Sequence, residues 1–257
     1  MGSRHSGYAE FTREEHEPSP YQLDILDSCL TCKVRESSFF CHLPRVALQK
    51  FDKLKSVATY PKGAFLFMEG QICRGVFVLC QGRVKLFASS SDGKNVILRV
   101  AHPGEVLGLS AAVAGRPYLA TAKTIEPAQA NFVVCEDFLT FLRQHGEAAL
   151  RAAQVLSYYY YAAYETIRTL GITHSAPEKL AHLILGWPAS TEQRTEGGKP
   201  TPINIPFTHA EIAEMIGSSR ETVERLLSAL KRRHVIRLSG STLTILNRGA
   251  LESLIHY

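Results

Sequence analysis

The chain has 257 residues, with 29 Lys and Arg against 24 Asp and Glu and 45% hydrophobic residues. That length suits one large domain or two modest ones with real cores, and the composition excludes collagen-like, mucin-like and wholly disordered classes. No apolar run reaches the roughly 18 residues of a bilayer-spanning helix, and the stretch from Met1 to Glu17 is polar and acidic, which predicts no signal peptide, no membrane partner and a cytoplasmic protein.

Residues 1–22 lack apolar periodicity and read as a loose tail. From Val57 to Val134, short β-rich runs (Val57–Tyr60, Phe65–Met68, Gly75–Leu79, Val84–Phe87, Val96–Val100, Ala120–Ile125 and Asn131–Val134) alternate with Gly-containing turns, the cadence of a barrel, roll or sandwich. After Glu136 the period lengthens toward 3.6. Ala149, Ala153, Leu156, Tyr160, Ala163, Ile167 and Leu170 recur at alternating spacings of four and three, which predicts one long helix whose stripe packs either on a symmetry mate or on a neighbouring domain. Gly171 ends it, a shorter helix follows from about Ala176 to Leu185, and a breaker-rich loop covers residues 189–202. The resulting partition is a tail (1–22), a β-roll sensor domain with an N-terminal cysteine segment (23–145), a long dimerisation helix (146–171) and a C-terminal domain (172–257), an α+β fold.

The C-terminal domain carries the clearest local signals. Thr208 with Glu211 three residues on reads as a capping box opening a short amphipathic helix stopped by Gly217, and Ser218 with Glu221 opens a second helix to about Arg232. Two helices so tightly joined form a helix-turn-helix. At 100° per residue, Val223, Leu226, Leu227 and Leu230 share one arc, and Arg220, Glu221, Glu224, Arg225 and Ser228 the opposite one. Arg binds guanine O6 and N7 in a fork and Glu accepts from cytosine N4, so Arg220, Glu221 and Arg225, with Glu224 beside them, are the candidate base readers. A solvent-facing, ion-paired helix is the competing reading, because Arg220–Glu224 and Glu221–Arg225 are both i,i+4 pairs. Val235–Leu238 and Leu243–Leu246 flank a Ser-Gly-Ser-Thr turn that suits a wing. Thr208, His209, Ser219, Ser228, Lys231, Arg232, Ser241 and Thr242 are candidate phosphate contacts. The field agrees: Arg225, Lys231, Arg232, Arg233 and Arg237 face only Glu224 between residues 224 and 237.

The string from Ile212 to Leu227 (IAEMIGSSRETVERLL) resembles the Crp/Fnr family of bacterial transcription regulators, and the resemblance extends over approximately residues 25–252. It implies an N-terminal β-roll, cupin-like and similar to cyclic-nucleotide-binding domains, a long dimerisation helix and a winged helix-turn-helix. Arg220, Glu221 and Arg225 match the recognition residues of the cyclic-AMP-receptor branch, which implies double-stranded DNA with inverted TGTGA-like or TGA-core half-sites, read by a homodimer that also meets bacterial RNA polymerase. Glu224 departs from that branch, which has a small residue there.

The effector is less legible. Pro103–Ser110 resembles the phosphate-cassette region of the cyclic-nucleotide branch, but Leu109 stands where that branch has a ribose-binding Glu, and Arg116 is followed by Pro117. Cyclic AMP is therefore disfavoured, and Gly108, Leu109, Arg116 and Tyr160 remain as a weak effector-pocket set. Cys29, Cys32 and Cys41 stand as Cys-x2-Cys-x8-Cys before the roll, with Cys135 at its end. Four thiolates suit zinc or an iron–sulfur centre. Resemblance to the oxygen-responsive branch implies a [4Fe–4S] cluster with Cys135 as its central ligand, although the third spacing there is usually five. Zinc, thiol–disulfide switching and no metal at all stay open, and Cys73 and Cys80 read as packing residues. A metal-free regulator answering to a small molecule, or binding DNA constitutively, is the alternative. A cupin-like enzyme would need clustered His and carboxylate ligands in the strands, and the sequence has none, so no catalytic residue is assigned.

Overall fold

The computed structural model describes residues 20–38, 40–172, 175–190 and 202–255. The tail read over residues 1–22 lies, as far as residue 19, outside the described residues, as does most of the loop read over residues 189–202. Two helices not anticipated from the sequence, α1 (Val34–Ser37) and α2 (Arg45–Leu54), precede the β-region. There follow β1 (Ser56–Tyr60), β2 (Phe65–Phe67), β3 (Gly75–Gln81), β4 (Val84–Ser89), β5 (Asn95–Ala101), β6 (Val106–Leu107), α3 (Leu109–Ala114), β7 (Thr121–Thr124) and β8 (Ala128–Val134). Two antiparallel sheets, β1-β8-β3-β6 and β2-β7-β4-β5, both feed side chains into one interior, so they close on each other as a roll.

Strand β3 shows how one sequence run serves two cores. Side chains alternate across a strand. Phe77 and Leu79 point into the roll beside Phe67, Leu86 and Tyr118, while Val76 and Val78 face a second core outside it. That second core is built by α2, by α4 (Cys135–Gln144) and by the first turns of α5 (Gly146–Ile172), through Phe51, Phe138, Phe141, Ala148, Ala152 and Val155. Each fully buried side chain of this size is worth roughly 1.5–3 kcal/mol over leaving it in water. The α+β order thus runs from a β-sheet sensor domain through a 27-residue helix to a C-terminal helical unit.

That unit contains α6 (Ala176–Ser190), β9 (Pro202–Asn204), α7 (His209–Ile216), α8 (Arg220–Arg232), β10 (Ile236–Ser239), β11 (Thr242–Ile245) and α9 (Arg248–Glu252). α6 runs five residues beyond the expected end at Leu185, its apolar Leu180, Ala181 and Ile184 anchoring it in the third core. β9, too short to show a period, adds a third strand to the β10–β11 hairpin.

Candidate nucleic-acid interface

The two helices of the motif are fixed by their caps. Thr208 Oγ1 accepts the Glu211 N–H at 3.2 Å, and the Glu211 carboxylate accepts the Thr208 N–H at 3.0 Å, closing the box around the start of α7. Gly217 ends α7 with φ 62°, a left-handed conformation that glycine adopts without cost. The cap of α8 is Ser219, not Ser218: its Oγ accepts the Thr222 N–H at 3.2 Å. A serine pair offers two adjacent cap candidates, and the length of the turn after Gly217 decides between them.

Val223, Leu227 and Leu230 are buried against Ile212, Ala213, Ile216 and Ile236, which turns the opposite face of α8 outward. Arg220, Glu221 and Arg225 are exposed there, as are Thr208, His209, Ser219, Ser228, Lys231, Arg232 and Ser241, while Thr242 is half-buried in the wing. A cleft of about 410 Å³ runs between α8 and the wing, lined by His209, Glu224, Ser228, Lys231 and Gly240 among others. Glu224, read from the sequence as a base contact, gathers its neighbours: its Oε1 accepts from Arg220 Nε at 2.9 Å and lies 3.3 Å from His209 Nδ1. Hydrogen bonds from Arg220 and His209 hold its carboxyl below the usual carboxylate range. Glu221 and Arg225 form no ion pair with each other among the described residues, so the ion-paired reading of this face holds for Arg220 and Glu224.

The sensor sheet touches this motif. Lys85 Nζ on β4 reaches Glu211 Oε1 at 2.7 Å, and Arg83, paired with Glu126, also donates to the Asn204 carbonyl at 3.4 Å. Burial pushes the Glu211 carboxyl up, but the hydrogen bonds from Lys85 and from the Thr208 N–H outweigh it and leave the group below its ordinary value of 4.5. A carboxylate whose folded pKa is lowered stabilises the fold above its unfolded pKa and loses that contribution as pH falls through the folded one. Lys85→Met is therefore expected to flatten the acid limb of the stability profile below pH 4.5 relative to the wild type. Superimposable acid limbs in chemical unfolding of the two proteins would show that the contact carries no pH-dependent stability.

Two family models match the chain: a Crp-like helix-turn-helix domain over residues 178–254 and a cyclic nucleotide-binding domain over residues 57–145. The chain belongs to the Crp/Fnr family. It is 26% identical over 227 residues to the transcriptional activatory protein AadR of Rhodopseudomonas palustris, covering 87% of this chain and 91% of that one. It is also 26% identical over 232 residues to the nitrogen fixation regulation protein FixK of Bradyrhizobium diazoefficiens, covering 88% and 93%. The structure of FixK2 from Bradyrhizobium japonicum superposes with TM-score 0.69 at 21% identity, over 78% of this chain and 96% of that one. The protein is a DNA-binding transcription regulator of this family. None of its described helices is long and apolar enough to cross a membrane.

Within this Crp/Fnr frame the sensor differs from the sequence expectation in three places. The effector set Gly108, Leu109, Arg116 and Tyr160 does not gather around a cavity: Leu109 is buried in the helical core, Arg116 and Tyr160 are exposed, and a Cβ on Gly108 would stand 2.8 Å from the Tyr118 ring. Phe67 and Tyr118, stacked at 4.0 Å between ring centroids, border instead a cleft of about 740 Å³ that Tyr60, Phe77 and Phe132 also line and that none of the four residues reaches. Tyr159, one residue from the expected Tyr160, faces the sensor. Its hydroxyl donates to Glu105 Oε2 at 2.7 Å, the same carboxylate pairs with Arg99, and the Arg99 guanidinium lies 4.0 Å from the Tyr159 ring centre.

The helix stripe also divides between two faces. Ala149 and Leu156 pack on the sensor core, whereas Ala153, Tyr160, Ala163 and Ile167 are exposed; the Leu170 side chain lies outside the described residues. One exposed row, which keeps Ala153, Tyr160 and Ile167 of the expected stripe, is Leu150, Ala153, Ser157, Tyr160, Tyr164 and Ile167, at alternating threes and fours. Finally, Cys135 begins α4 beside Cys73, away from Cys29, Cys32 and Cys41, which share a small cavity with Cys80. The position of Cys135 in the chain matches the family ligand, but Cys135 follows Val134, which pairs with Gly75 at the start of β3, whereas Cys80 lies near its end. A cluster held by Cys29, Cys32, Cys41 and Cys135 does not fit this arrangement.

Proposed function

We propose that this regulator binds an inverted repeat as a homodimer, with α8 in the major groove and the β10–β11 wing against the backbone. The carrying observation is the exposed start of α8, where Arg220, Glu221 and Arg225 lie opposite buried Val223, Leu227 and Leu230. Arg220 and Arg225 read guanines, Glu221 reads cytosine, and Glu224 orients Arg220. Thr208, His209, Ser219, Ser228, Lys231, Arg232, Ser241 and Thr242 hold phosphates and set register. Half-sites of a TGTGA-like or TGA-core type follow from this set, with RNA polymerase as the further partner. The divisions at residues 22, 145 and 171 belong to the same reading.

This reading requires no metal. The sensor acts through the Tyr159–Glu105–Arg99 clasp on α5 and the Lys85–Glu211 contact on α7, so a signal that shifts the roll reaches both the dimer helix and the reading head. A small molecule suits a cleft of about 390 Å³ between roll and DNA-binding unit, lined by Arg83, His102, His182, Trp187 and Phe207 among others. Constitutive binding is the version in which no ligand enters it.

Competition binding with matched and single-base-changed operators tests the interface. Arg225→Ala is expected to cost about 1–3 kcal/mol on the matched site and to relax discrimination at one base pair. Lys231→Ala is expected to weaken all sequences alike and to lower the salt slope by about one. Equal losses on matched and mismatched DNA for Arg225→Ala would remove base reading from that residue.

A further inference from the structure

The cleft of about 390 Å³ between the roll and the DNA-binding unit is walled by three parts of the chain. The β4–β5 side of the roll forms one wall, α6, β9 and α7 form the other, and α5 reaches it through Thr166. No residue of Pro103–Ser110 lines it, and it shares no residue with the aromatic cleft beside Phe67 and Tyr118. Its body is apolar. Leu98, half-exposed on the edge strand β5, faces it from the roll. On the C-terminal side the rings of Trp187 and Phe207 are stacked, 26° apart in plane and 6.4 Å apart at their centres. Stacked rings offer flat faces, which favour a planar guest.

Gly186 makes room for one. It stands inside α6, where glycine weakens a helix relative to alanine, yet a Cβ at that position would meet nothing within 4 Å among the described residues. The chain's own packing does not call for the missing side chain, and the space it leaves opens on the cleft. The ionisable groups of the lining are all of one sign: Arg83, Arg99, His102 and His182, with no carboxylate among them. Glu126 holds Arg83 at 2.6 Å and Glu105 holds Arg99, so both guanidinium groups are already partly neutralised from outside the lining. Such a set matches one negative charge spread over two oxygens, not a polyphosphate, which needs several uncommitted cations.

We propose that this cleft binds a small aromatic carboxylate, its ring against Trp187 and Phe207 in the room left by Gly186 and its carboxylate among Arg83, His102 and His182. The ligand joins the wall that belongs to the roll to the wall that belongs to the reading head, alongside the Lys85–Glu211 contact, and touches the dimer helix at Thr166. The volume is in the range of pockets that enclose small organic ligands. The inference rests on the reading of this cleft as the effector site, and adds to it the chemistry of the effector.

The test titrates the full chain with three probes: phenylpropanoate, its neutral amide phenylpropanamide, and octanoate, which keeps the carboxylate and lacks the ring. Trp187 is the only tryptophan and lines the cleft, so its emission reports occupancy directly, with calorimetry as the second readout. Phenylpropanoate is expected to change that emission saturably and to bind about tenfold more tightly than either other probe. Arg83→Gln is expected to bring phenylpropanoate down to the level of the amide and to leave the amide unchanged. Gly186→Leu is expected to weaken both ring compounds about tenfold by filling their room. Leu98→Glu is expected to weaken phenylpropanoate more than the amide, by repulsion. Gly186 and Leu98 are exposed, so these two variants keep the test valid if Arg83→Gln disturbs the fold. Equal affinity for the amide or for octanoate would overturn the assignment, as would binding that Gly186→Leu and Leu98→Glu both leave intact, or no binding of any probe. Operator binding tells the two readings apart: a chain that binds its inverted repeat and none of the probes loses this site and keeps the DNA interface, whereas bound phenylpropanoate that leaves operator affinity unchanged would strip the site of control over DNA.

Discussion

Ile167→Glu is expected to leave the protein monomeric at concentrations where the wild type is a dimer, and to weaken binding to a two-half-site operator by about 10²–10⁴-fold. Ile167 is 66% exposed near the end of α5, on a row with Leu150, Tyr160 and Tyr164, all large, apolar-bodied and facing outward. Such a contiguous patch on one helix face marks an interaction surface, and alternating three-and-four spacing is the seam of two paired helices. A carboxylate in that seam is buried without a partner when the helices pair, which costs far more than the lost methyl groups. Because Ile167 touches neither recognition helix nor wing, affinity for an isolated half-site is expected to stay as it was. Sedimentation equilibrium together with binding to one-site and two-site DNA separates these effects. A variant that stays dimeric, or that loses one-site and two-site binding equally, would place the dimer contact elsewhere.

Phe138→Ala is expected to cost the sensor domain about 3–5 kcal/mol, measured by denaturant unfolding followed through the β-sheet circular dichroism. The Phe138 ring has no exposure, and its centre lies 5.9 Å from that of Phe40. Phe40 in turn meets Phe51 at 5.7 Å, and Phe51 meets Phe141 at 5.5 Å. Removing one ring from this chain leaves a hole between the N-terminal segment, α2 and α4, and relatively stiff aromatic neighbours fill it poorly. Trp187, the only tryptophan, reports on the other core and serves as an internal reference. A loss below about 1 kcal/mol would mean that the segments re-pack around the gap.

Much of this molecule was legible because its signals are local. The capping box at Thr208 and Glu211, the αL stop at Gly217 and the apolar arc of α8 are each written within one or two turns of chain. The roll strands were readable from turn spacing, and all seven are present. What escaped were features set by long-range packing. α2 exposes Val46 and buries Ala47, Leu48 and Phe51, a stripe too short to declare itself amid charged residues. The α5 stripe divides, Ala149 and Leu156 packing toward the sensor while Ala153, Tyr160, Ala163 and Ile167 face outward, and composition does not separate the two faces. The place of the remaining thiols was hidden for a similar reason: Cys80 and Cys135 are equally isolated in sequence, and only the β3–β8 register brings one of them, Cys80, beside the N-terminal run.

Under the proposed reading of DNA, the bond between Arg220 and Glu224 also sets how wrong sequences are rejected. A guanine must draw the Arg220 guanidinium from an anion already at hydrogen-bond distance, so the useful energy of that contact is the excess over an internal competitor. Random sequence, offering only a poorly aligned acceptor, does not clear that threshold. The same carboxylate repels nearby phosphates, which makes loose electrostatic binding weaker than the basic C-terminal field alone would give. A reading head of this kind gives up some affinity everywhere and loses least of it at the right site.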